Sequence, residues 1–144
     1  DVESRGLGDV YKRQHYYYNL TLKRIEKPRS ATHSVKLSEV CAYIQQKLYS
    51  RLTVTEIANF FNVSSRRIHQ IFNDTLHVSP KQYISDLKIE KAKQILEKTS
   101  MPIIDIADAL GYYSPYHFSS TFQRKTGCSP SAYRRKLLSK PTDK

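Results

Sequence analysis

Ile68, Ile71 and Phe72 recur at spacings of three and four and mark the inner face of a short helix, which turns Ser65, Arg66, Arg67, His69, Gln70 and Asn73 outward. Those side chains carry hydrogen-bonding chemistry suited to base edges. A guanidinium can clamp O6 and N7 of a guanine, and a carboxamide can pair with N6 and N7 of an adenine. Further along, Phe118 and Phe122 claim the inside of a second such segment and leave Tyr116, His117, Ser119, Ser120 and Gln123 facing out, with Arg124 and Lys125 closing it in positive charge. The base-contacting candidates are therefore Arg66, Arg67, His69, Gln70 and Asn73 in the first segment and Tyr116, His117, Ser119, Ser120 and Gln123 in the second. The hydroxyls of Ser64, Ser65 and Ser114 and the cations of Lys81, Arg124, Lys125, Arg134 and Arg135 are the candidates for phosphate, which fixes register rather than reading sequence.

Other chemistries find less support. His117 and Ser120 stand three apart, yet no positioned acid and no nucleophile-elbow motif accompanies them, so no catalytic residue is assigned and an enzyme is not expected. The two cysteines, Cys41 and Cys128, lack any C-x-x-C or Cys/His metal spacing, which removes a zinc-bound thiolate cluster and methyl transfer through one. The five histidines have no ligand spacing, and His69 and His117 read as polar groove residues. No metal and no cofactor is expected.

Charge agrees with an anionic partner. The 144 residues carry 24 Lys+Arg against 13 Asp+Glu, a formal +11, so double-stranded nucleic acid leads and an anionic membrane surface follows. With 39% hydrophobic residues and no apolar run of membrane-spanning length, no membrane insertion is expected, and two cysteines suit a reducing cytoplasm.

The elements that must position these faces are all helical. Leu37, Val40, Cys41, Ile44 and Leu48 form one stripe, with Cys41 read as core rather than reactive thiol. In Leu52-Thr53-Val54-Thr55-Glu56-Ile57, Thr53 can cap a second helix, Glu56 can reach back to the cap, and Leu52 with Ile57 makes an apolar staple. That helix stops at Asn62, a residue tolerant of the left-handed turn, and Ser64 caps the third. Ser79-Pro80 opens a segment, 80–98, without Gly or internal Pro, which predicts one long stiff helix with Tyr83, Leu87, Ala92, Ile95 and Leu96 inside and its Lys and Glu residues outside.

The pattern then repeats. Ile106, Ala107 and Leu110 match Ile57, Ala58 and Phe61 at an offset of 49; after the turn the offset becomes 50, pairing Ser114 with Ser64, Phe118 with Ile68, Phe122 with Phe72, Ser129-Pro130 with Ser79-Pro80 and Tyr133 with Tyr83. Each copy is a helix, a tight turn at Asn62 or Gly111, and a serine-capped helix: a helix-turn-helix over 53–73 and again over 102–125. In such a unit the second helix can enter a major groove while the first crosses the backbone, and two copies could read successive grooves. Repeat one has His77 where repeat two has Gly127, which predicts a more strained helix end in the first copy. The competing reading is a helical module that docks on protein or membrane without reading DNA sequence.

Residues 35–138, and above all IEKAKQIL followed by IIDIADALGYYSPYHFSSTFQRKTGCSPSAYRR, resemble the DNA-binding domain of AraC/XylS-type transcription regulators. The resemblance implies an all-α fold of about seven helices in two subdomains joined by a long central helix, with the third and sixth as readers, and Arg66, His69 and Gln70 at base-contacting positions. It also implies a bacterial, cytoplasmic, homeodomain-like regulator, usually an activator that touches RNA polymerase, with dimerisation through an N-terminal domain outside this chain. Gln70 and Ser120 stand where the family commonly has arginine, so the preferred site should differ from that of relatives. Residues 1–14 (DVESRGLGDVYKRQ) have neither helical nor strand period and read as a non-native flank, 15–34 as a linker or the remnant of a missing domain, and 139–144 as a basic tail.

Overall fold

The computed structural model describes residues 34–139. The expectations for 1–14, for nearly all of 15–34 and for most of the tail lie outside the described residues. Seven α-helices and no strand occur among the described residues: α1 (Leu37–Gln46), α2 (Val54–Phe61), α3 (Ser65–Leu76), α4 (Pro80–Lys98), α5 (Ile103–Ala109), α6 (Pro115–Thr126) and α7 (Pro130–Ser139). They belong to two compact units, the first drawn from residues up to 47 together with 53–83, the second from 48–52 and 84 onward.

In the first unit each boundary has a local cause. Glu56 N–H donates to Thr53 Oγ1 at 3.2 Å, and Thr53 N–H donates to the Glu56 carboxylate at 3.4 Å, so two donors at the start of α2 are satisfied reciprocally. The helix ends where Asn62 turns left-handed (φ 55°), and Ser64 Oγ takes the Arg67 N–H to begin α3. Ile57, Ala58, Phe61, Ile68, Ile71 and Phe72 are buried, and Tyr43 stacks on Phe60 with ring centroids 4.1 Å apart. Tyr83, on the first turns of α4, meets Phe72 edge-on at 5.2 Å. α1 stops at Gln46, two residues short of the end of the sequence stripe; Leu48 is still buried, but it belongs to the second unit.

The second unit repeats the design. Ser114 Oγ accepts the His117 N–H, Gly111 makes the turn at φ 73°, and Pro115 and Pro130 occupy first helical positions. Its core joins Ile89, Ala92 and Leu96 of α4 to Ile106, Ala107, Leu110, Phe118 and Phe122. The expectation that every lysine of α4 faces water is corrected here. Lys88 is only 7% exposed; its Nζ donates to the Leu110 carbonyl at 2.5 Å and to the Ser50 carbonyl at 2.9 Å, which compensates its burial. Helical periodicity cannot reveal those partners, because both are backbone atoms from other segments. His77 does adopt the left-handed conformation at φ 55°, beside Gly127 at φ 89° in the second copy. A side chain there carries a steric cost that glycine avoids.

Candidate nucleic-acid interface

Each repeat presents a capped, amphipathic helix whose inner side is fixed by aromatic and aliphatic packing. On α3, Ile68 and Phe72 are fully buried while Arg66, Arg67, His69, Gln70 and Asn73 are exposed and Ser65 is half-buried. Two contacts order this face. His69 Nδ1 lies 2.8 Å from the Ser65 carbonyl, which can only accept, so Nδ1 is the donor in this contact. Arg67 Nη1 donates to Gln70 Oε1 at 3.0 Å, which occupies the amide oxygen and leaves the Gln70 NH₂ available. Arg66, His69, Gln70 and Asn73, with Val78 and Ser79, line one shallow open depression.

On α6, Phe118, Thr121 and Phe122 are buried, and Tyr116, His117, Ser120, Gln123 and Arg124 are exposed. Tyr116 is 82% exposed. Ser119 is half-buried. Tyr112 packs edge-on against His117 at 5.4 Å and in a tilted arrangement against Phe118 at 5.1 Å. Burial pushes the Tyr112 hydroxyl up to about 12 despite the opposing influence of Arg124. α6 contains no acidic residue, so nothing on its own outward face repels a polyanion.

The phosphate candidates divide. Ser64 and Ser114 accept backbone N–H groups, and Lys81 and Arg135 are exposed. Lys125, also expected at a phosphate, forms an ion pair with Asp86 at 2.6 Å. Arg134 donates to the Leu96 and Thr99 carbonyls at 3.5 and 3.2 Å, satisfying the C-terminal end of α4. These partners come from more than twenty residues away, beyond what a helical wheel can show. Cys41 is buried, with its thiol pushed up by desolvation to about 12, and Cys128 is a free half-buried thiol. Among the described residues no three His, Cys, Asp or Glu side chains gather as a metal site would require, and no helix is long and apolar enough to cross a membrane.

Residues 57–136 match the family model described as a helix-turn-helix domain. The chain is 35% identical over 104 residues to the HTH-type transcriptional regulator GbdR of Pseudomonas aeruginosa, a match covering 72% of this chain and 28% of that protein. It superposes with a TM-score of 0.67 and 28% identity on an AraC-type DNA-binding-domain regulator from Chromobacterium violaceum, covering 73% of this chain and 94% of that one. A TM-score of 0.70 at 26% identity relates it to the DNA-binding domain of the global transcriptional factor AdpA, solved with a target DNA, covering 76% of this chain and 100% of that one. The chain belongs to the AraC-type helix-turn-helix family of transcription regulators. That is not an enzyme family. The chain spans 28% of GbdR, so it corresponds to a part of such regulators.

Proposed function

We propose that this chain binds double-stranded DNA in a sequence-specific manner, as the DNA-reading part of a bacterial transcription regulator, with α3 and α6 as its two recognition helices in successive major grooves. The observation that carries this reading is the repeated unit itself. Twice, a capped helix buries its inner face and leaves arginine, histidine and glutamine side chains outward. The formal charge of +11 supplies the sequence-independent attraction such a protein needs. In keeping with the family, we further propose an activator that contacts RNA polymerase in the cytoplasm and acts as a dimer.

Selection of bound duplexes from a random library, followed by a salt titration on the winning site, tests the proposal. A defined site should emerge, and about six neutralised phosphates would give log K against log salt a slope near minus 5. A flat salt response without sequence preference would favour the docking-module reading instead.

A further inference from the structure

Lys88 does more than fill a core position. Its two acceptors, the carbonyls of Leu110 and Ser50, come from the end of α5 and from the short segment Leu48–Leu52, both in the second unit. The same two stretches touch at Gly111: a Cβ built there would lie 2.7 Å from the Ser50 carbonyl carbon and oxygen and 3.0 Å from the Arg51 nitrogen. Gly111 is thus required twice, for its positive φ and for the backbone lying against it. The result is a fixed seat for Arg51. Its guanidinium sits 4.3 Å above the ring of Tyr113, which is 78% exposed and immediately precedes the Ser114 cap of α6. Arg51 is exposed and, among the described residues, makes no ion pair with an acid. A cation stacked on an aromatic face keeps its in-plane N–H donors free, and stacking limits the rotamer entropy lost when they bind an oxyanion.

We infer that Arg51, stacked on Tyr113 and seated through Ser50 and Gly111 by Lys88, is a DNA-phosphate contact of the second helix-turn-helix. It is supplied by chain that precedes the first helix-turn-helix in sequence. The inference rests on the DNA-binding reading above. It assigns a role to a residue outside both repeats, which repeat-based reasoning passes over.

The test uses the full chain with Arg51→Ala, Arg51→Lys and Tyr113→Ala, measured on the selected duplex and on random-sequence duplex across a salt series. Arg51→Ala should weaken both duplexes by a similar factor, about 5- to 10-fold at low salt, and reduce the magnitude of the log–log salt slope by about 0.9. Arg51→Lys should keep the slope and recover part of the affinity. Tyr113→Ala should keep the slope while losing affinity, because the charge remains and its platform is gone. Unchanged affinity and slope in Arg51→Ala, with wild type binding normally, would overturn the Arg51 assignment alone. Loss confined to the selected duplex would also overturn it, by making Arg51 a base reader. Failure of the wild-type chain to bind either duplex would sink the DNA-binding reading itself.

Discussion

Lys125 on α6 reaches back to Asp86 on α4, Nζ to Oδ1 at 2.6 Å, with side chains only 14% and 18% exposed. The pair braces α6 against α4 and gives the Lys125 ammonium a carboxylate partner within the protein. Lys125→Ala should therefore lower unfolding free energy by about 1–2 kcal/mol, between the surface and buried limits for ion pairs, and leave the salt slope of binding nearly unchanged. Arg124→Ala, at an exposed position, should do the reverse: little change in stability and a slope smaller in magnitude by about 0.9. Urea unfolding and salt-series binding of the two variants check both outcomes.

Arg66 is exposed on the face that lines the α3 depression. Arg66→Ala is expected to cost about 1–3 kcal/mol on the preferred site and to relax choice at one or two base pairs. Equal losses on preferred and random duplexes would make Arg66 a phosphate contact instead.

Replacing Lys88 by methionine keeps most of the side-chain volume but removes the donor shared by the Ser50 and Leu110 carbonyls. The Leu110 carbonyl then loses its donor, while the Ser50 carbonyl keeps the Leu52 N–H at 3.1 Å, so the cost is about 1–3 kcal/mol. Thermal and urea unfolding measure it. A Lys88→Met protein as stable as wild type would mean the Leu110 carbonyl is satisfied without the lysine.

Alkaline pH should destabilise the fold. Burial raises Cys41 from 9.0 to about 12 and Tyr112 from 10.0 to about 12; Tyr133 also rises to about 12, through burial first and then its contact with Glu97. Each raised acid keeps its proton in the folded state after the unfolded chain has released it. The folded state thus binds more protons across this window, and stability falls as pH climbs from about 9 toward 12. Lys88 works in the opposite sense, since burial lowers it from 10.5 and the unfolded chain then holds the extra proton. Tyr43 is raised as well, by burial and then by Glu56, so one such group stands against four. The urea midpoint should therefore drop between pH 8 and pH 11, and a constant midpoint over that range would contradict the raised protonation of these groups in the folded state.

Much of this architecture is legible in the order of residues alone, because its causes are local. Thr53 and Glu56 cap one helix within a single turn, Ser64 and Ser114 cap α3 and α6, and Pro80 and Pro130 begin helices from a fixed φ. The inward set of Ile68, Phe72, Phe118 and Phe122 is set by the 3.6-residue period, which also fixes which side chains face out. What the outward cations do was decided by tertiary structure. Lys88 is drawn into the core by the carbonyls of Ser50 and Leu110, Lys125 is neutralised by Asp86, Arg134 closes the end of α4, and Arg51 is delivered to Tyr113 from a segment outside both repeats. Each of those outcomes depends on atoms brought together across more than twenty residues of chain. A side chain's type states which partners it can accept; only the packed backbone states which partner is within 3 Å.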